Sequence, residues 1–234
     1  MNVLQKAFIF LLLICVTGMS HAGNNGSGRY FVNGFVPNSQ AVQENLLQYK
    51  TGKNNACGPT SLLFVDNHYV RQATGSIPSH LTSVALARDS VNRIYGHLGQ
   101  TTNTVTTLDQ LKWVAQYKWG YANVRRMSGA AGNRTFNLNQ METYLTNDWP
   151  ILVVLNRNYS GFPIKSPIDH IAVVFAYNKM QDEFGRPWYD SNNTRNEDLI
   201  EYYEPYYGIM GSFRRRDSAV AVNLSEFSYL VVGR

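Results

Sequence analysis

Cysteine is nearly absent from this chain, which carries only Cys15 and Cys57. Cys15 belongs to an amino-terminal segment expected to be removed, which leaves one thiol and excludes an intramolecular disulfide framework. Nor is there a long hydrophobic run. The apolar stretch from Ala7 to Val16 falls short of the roughly 20 residues that span a bilayer, so no stable membrane insertion is expected after that removal. Extended basic motifs are missing too: Arg214-Arg215-Arg216 is a short group that reads as a solvated turn, and nucleic acid is not an expected partner. His68, His80 and His97 lack cysteine or carboxylate companions at ligand spacing, which argues against a metal site. Internal repeats and long low-complexity tracts are also lacking, so a repeat architecture is not expected.

What is present begins with export. Met1 to Lys6, the apolar stretch Ala7 to Val16 and Ser20-His21-Ala22 have the order of a secretory signal peptide cleaved after Ala22. Ile14 stands where lipidation at Cys15 would want a small residue. The expected organisation is a signal peptide over 1–22, an irregular lead-in over 23–50 and one domain over 51–234. Cleavage leaves 234 − 22 = 212 residues, enough for one substantial core. It removes one charged residue, Lys6, and lowers the formal charge from +5 to +4. A mildly basic surface suits acidic partners or an anionic cell envelope, and the destination is periplasmic or extracellular.

Helices dominate the first half of the domain. Gly58 and Pro59 open one that runs toward Arg71. A second is expected from about His80 to Leu98, with Ser79 as cap and Gly99 as stop. Thr107-Leu108-Asp109-Gln110-Leu111 opens a third before Gly120, and a fourth covers Leu138 to Leu145. From Pro150 the pattern changes. Ile151 to Leu155 and His170 to Tyr177 read as buried strands, with shorter ones around Trp188-Tyr189, Ala219 to Val222 and Tyr229 to Val232. The polar stretch Asp190 to Asp198 reads as a rim loop. Helices followed by strands indicate an α+β domain, an antiparallel sheet packed against helices.

Cys57 carries the chemistry. It lies in Asn55-Ala56-Cys57-Gly58-Pro59-Thr60-Ser61 at an expected helix N-terminus, where unpaired amides and the helix dipole favour the nucleophilic thiolate. The other reading is a small buried core thiol. His170 starts a strand 113 residues later, and imidazole titrates near neutral pH, as a proton shuttle must. Asp190 follows the Trp188-Tyr189 strand, so one hairpin would bring it beside His170 as the group that orients the ring. Asp169 suits this less, since neighbours on an extended chain face opposite ways; Asn192 is another choice. An oxyanion hole would combine the Cys57 backbone amide with an upstream amide side chain, Gln48 first, then Gln43, Asn54 or Asn55.

These segments, together with Thr107-Leu108-Asp109-Gln110-Leu111, Trp149-Pro150-Ile151-Leu152-Val153, Asp169-His170-Ile171-Ala172-Val173-Val174 and Tyr189-Asp190-Ser191, resemble the papain-like cysteine peptidases related to the double-glycine leader peptidases of bacteriocin exporters. The resemblance implies a papain-like fold, a Cys57, His170, Asp190 triad and Gln48 as oxyanion donor. The chain looks like a stand-alone exported relative. The activity so implied is thiol-dependent hydrolysis of a peptide or protein through an acyl-enzyme, with no cofactor. The same chemistry could serve a cell-envelope amidase or acyltransferase, although an Asp-Cys-Ser-Gly amidase motif is absent. A noncatalytic secreted binding protein is the remaining alternative, with Tyr202-Tyr203, Tyr206-Tyr207, Trp188 and Tyr189 as its recognition patch.

Overall fold

The computed structural model describes residues 23–24, 29–32, 45–52, 55–101, 104–128, 138–156, 169–181, 197–217 and 228–234. The lead-in, expected to be irregular, contributes two short strands, β1 (Gly23–Asn24) and β2 (Arg29–Phe31), and a single helical turn, α1 (Gln48–Thr51). The proposed signal peptide lies outside the described residues.

Helix α2 (Cys57–Thr74) is the centre of the molecule. Pro59 fits its first turn, where backbone N–H groups have no intrahelical acceptor to lose. Every residue from Cys57 to Val65 is buried, so the first half of α2 is covered all round, as a central helix must be. It runs one turn past Arg71 and stops at Gly75, whose φ of 70° suits glycine and whose N–H reaches the Arg71 carbonyl at 2.7 Å. The second expected helix is divided. Ser79–Leu81 form a 3-10 turn, and α3 (Val84–His97) begins only after Ser83, whose hydroxyl accepts from Leu86 N at 3.3 Å. Ser83 is extended, at φ −148° and ψ 160°, and this interrupts the helix that Ser79 was expected to cap. Helix α4 (Leu108–Trp113) starts at a capping box between Thr107 and Gln110 and continues into a π turn over Val114–Lys118.

The sheet is antiparallel throughout and has eight strands among the described residues. After β3 (Asn123–Ser128) and helix α5 (Leu138–Thr146) come the two expected buried strands, β4 (Ile151–Leu155) and β5 (His170–Asn178). Strands β6 (Leu199–Glu204), β7 (Ile209–Arg214) and β8 (Ser228–Gly233) complete it. Strand β5 is the hub, pairing with β4, β2 and β6. Strands β3, β6 and β7 were not anticipated; the strands expected at 188–189 and 219–222 lie outside the described residues. This is the α+β arrangement expected, with α2 packed on β5.

Asp198, expected on a rim loop, is buried instead. It accepts from the Tyr177 hydroxyl and from Met180 N at 2.9 Å, and its carbonyl accepts from Arg215 N at 2.8 Å. Burying a carboxyl group is tolerable only with such partners. Tyr202 and Tyr203 are likewise core residues, Tyr203 meeting Phe64 edge-on with ring centroids 4.5 Å apart. No helix among the described residues is long and apolar enough to cross a membrane.

Candidate active site

Three contacts fix the start of α2 against its neighbours. From α3, the buried Tyr95 donates its hydroxyl to the Asn55 carbonyl at 3.0 Å, holding the turn that leads into Cys57. Gly58 permits a close approach that no side chain would. A Cβ there would lie 2.2 Å from Thr106 Oγ1, 3.1 Å from Leu111 Cδ1 and 3.2 Å from Ile171 Cδ1. One turn further on, Ser61 Oγ donates to the Ile171 carbonyl at 3.0 Å. Ile171 follows His170 on β5, so this buried bond sets the register between the Cys57 turn and the histidine strand.

The result is that the Cys57 thiol and the His170 imidazole lie within interaction range, each the first charged group acting on the other. Cys57 is only 2% exposed. Burial alone would push its pKa up, yet the His170 charge, the contact with that ring and the Ile171 and Gly58 backbone amides together pull it below the ordinary thiol value. His170 mirrors this: burial disfavours the imidazolium, but the Cys57 thiolate and then Glu204 raise its pKa. The Tyr95 hydroxyl is pushed up by burial and then by the negative charge on Cys57, which places it in the same electrostatic neighbourhood. The site therefore favours a thiolate–imidazolium pair, the activated form of a thiol nucleophile.

Glu204 is the acid that meets His170. Its Oε1 contacts the ring at Nε2. The carboxylate is 4% exposed and is itself held by the next turn, accepting from Tyr206 N at 2.6 Å through Oε1 and from Tyr207 N at 2.9 Å through Oε2. A histidine with one ring nitrogen bound by a fixed carboxylate has its ring orientation and tautomer determined. Asp190, the orienting acid expected from the sequence, lies outside the described residues, as does Asn192. Gln48 is buried, and its backbone N–H donates to the carbonyl of Pro205, the residue after Glu204, at 3.0 Å. The structure thus brings Cys57 and His170 together and anchors the Gln48 turn beside the glutamate hairpin.

Sequence reasoning missed Glu204, although a signal was present. An acidic residue inside Tyr202-Tyr203-Glu204-Pro205-Tyr206-Tyr207 is destined for burial among aromatics and must find a partner. The ladder supplies it. Val173 pairs with Tyr203, so one further step puts Glu204 opposite Ala172, on the face that His170 shares and diagonal to it.

No group of three or more histidine, cysteine or acidic side chains among the described residues is arranged to hold a metal ion. A family model described as "Peptidase_C39 like family" matches residues 33–214, a span that takes in Gln48, Cys57, His170 and Glu204. Comparison with curated proteins gives no match.

Proposed function

The chain belongs to the Peptidase_C39 like family, and from that premise we propose that it is an exported cysteine peptidase acting through Cys57, His170 and Glu204. The observation that carries this reading is the buried Cys57 thiol within interaction range of an imidazole that also meets a buried, doubly anchored carboxylate. In the proposed cycle the Cys57 thiolate attacks the carbonyl carbon of a peptide bond. The Cys57 backbone amide and the Gln48 side chain stabilise the oxyanion. His170 gives its proton to the leaving nitrogen, the C–N bond breaks and a thioester remains. Water then adds as His170 takes its proton, and the C–S bond breaks to release the acid and restore the thiolate. No cofactor takes part.

Glu204 holds the ring in this scheme; Asp190 remains the alternative that the family resemblance offers. The signal-peptide pattern of residues 1–22 makes the enzyme an exported one, and a mature protein whose mass begins at Gly23 is the expected product.

The decisive test is the rate of Cys57 alkylation by iodoacetamide against pH, in the mature protein and in His170→Ala. Reactivity persisting well below the ordinary thiol pKa of about 8.5, and lost in the variant, supports the peptidase. Slow, ordinary-thiol behaviour in both proteins would sink it and favour a noncatalytic binding protein.

A further inference from the structure

Beside the His170–Glu204 pair lies a cluster of aromatic side chains that the proposed chemistry does not use. Tyr49 follows Gln48 on α1 and is 43% exposed; Tyr207, in the turn after Glu204, is 49% exposed. Tyr206 joins them: its ring centroid is 6.1 Å from that of Tyr49 and 4.6 Å from that of Tyr207, while Tyr49 and Tyr207 are 5.6 Å apart. Ile209, 39% exposed, pairs with Glu204 across the β6–β7 ladder and so stands on the same face as the carboxylate. Two half-exposed rings on a partly buried third, beside a half-exposed branched aliphatic side chain, leave a contiguous apolar surface of the kind that marks a binding site.

We propose that Tyr49, Tyr206, Tyr207 and Ile209 form the subsite for the leaving-group side of the substrate and select an apolar or aromatic side chain just after the scissile bond. The inference rests on the peptidase reading. In that reaction His170 delivers a proton to the departing nitrogen, so the departing segment must pass over the imidazole. The cluster is fixed on that side, because Tyr206 and Tyr207 hold Glu204 through their own amides and the Gln48 turn is bonded to Pro205. The shape identifies the occupant as a side chain rather than a sugar ring. Tyr206 and Tyr207 meet at 78°, and Tyr49 is tilted about 40° to each. The rings pack on one another at these angles and present edges as well as faces, whereas a saccharide stacks on one flat open face.

Partitioning of the acyl-enzyme tests this without knowledge of the natural substrate. p-Nitrophenyl acetate acylates Cys57 and releases p-nitrophenolate; an added amine then competes with water for the thioester. The amine nitrogen forms the new C–N bond, its proton passes to His170, and Cys57 leaves as thiolate, the reverse of leaving-group departure. Phenylalaninamide and leucinamide, compared with glycinamide, are expected to divert the acyl group about tenfold more effectively, the gain from half-burying such a side chain. Tyr49→Ala and Tyr207→Ala should bring the ratio to within about twofold of unity, while Tyr49→Phe keeps it. The ratio is taken after acylation, so any slower acylation of a variant cancels.

Equal capture of all three amines, or a preference untouched in Tyr49→Ala, would overturn the subsite and leave the peptidase reading intact. Absence of any nitrophenolate burst over Cys57→Ala would remove both. Should a variant fail to fold, the same question is answered by tyrosine resonances of Cys57→Ala. Saturable shifts with phenylalaninamide support the subsite; shifts with chitotriose alone would make it a sugar platform and refute the proposal.

Discussion

Replacing Glu204 by glutamine removes one charge and almost no volume, and the hydrogen-bond geometry makes its cost calculable. Oε1 serves the His170 ring and Tyr206 N, and Oε2 serves Tyr207 N. A glutamine amide has one acceptor oxygen. With that oxygen toward His170 and Tyr206, the NH2 group faces the Tyr207 N–H, donor against donor. In the flipped orientation the NH2 faces the Tyr206 amide and the ring. At least one part-buried backbone donor loses its acceptor either way, at about 1 kcal/mol of stability. The imidazolium also loses a charged acceptor, a bond of about 1.5–3 kcal/mol. Since about 1.4 kcal/mol corresponds to one pH unit, the pH at which Cys57 becomes half thiolate is expected to rise by about one to two. On the acid limb of the parent's profile, below its midpoint, iodoacetamide alkylation should therefore slow by roughly 10- to 100-fold, with peptide hydrolysis falling at least as far, and the thermal midpoint should drop by several degrees. Asp190→Asn provides the comparison. If Glu204→Gln alkylates as the parent does across the pH range and Asp190→Asn loses reactivity, Glu204 is a structural carboxylate and the triad is assigned to the wrong acid.

Further outcomes are expected from the same geometry. With the Cys57 pKa held down and that of His170 held up, alkylation should rise at acidic pH and then stay level. Peptide hydrolysis should fall again at alkaline pH, because the imidazolium that protonates the leaving nitrogen is lost there; parallel profiles would count against His170 as the proton donor. Gly58→Ala should cost about 1–3 kcal/mol in a urea titration, because its Cβ would sit 2.2 Å from Thr106 Oγ1. Adding Thr106→Ala should recover part of that loss, and strict additivity of the two losses would refute the clash. Ser61→Ala removes the buried bond to the Ile171 carbonyl, and should cost about 1–2 kcal/mol and reduce Cys57 alkylation even where the protein remains folded; a stability loss with parent reactivity would mean that this bond does not register the site.

Cys57 and His170 were legible in the sequence because each is marked by its immediate neighbours. Gly58 and Pro59 before an apolar run announce a helix start, and an unbroken apolar strand after Asp169-His170 announces a buried strand with the histidine at its mouth. The general fold was legible for the same reason, since buried helices and buried strands write their periods locally. The second helix shows where such signals fail: Ser79 and Ser83 are equally good caps by composition, and the extended backbone of Ser83 decides between them.

Asp190 lies outside the described residues, and the contact of Glu204 with His170 depends on something no local pattern encodes. Asp190 was expected because a hairpin close in sequence would return it to His170, an inference from loop length. Glu204 reaches His170 through the register of β5 with β6, and register is set by which residues the rest of the sheet has already buried. Tyr203 packs edge-on against Phe64 of α2, and that aromatic contact sets the strand so that its neighbour Glu204 turns to the opposite face, toward the histidine. The same helix carries Cys57 at its N-terminus. Burial of one tyrosine against α2 and presentation of one glutamate to the imidazole are therefore a single event, two faces of one strand. A register slip of one residue in β6 would take Tyr203 from Phe64 and Glu204 from His170 together, so the core contact and the carboxylate contact cannot be separated. The core that stabilises this fold is for that reason also what brings Glu204 to His170.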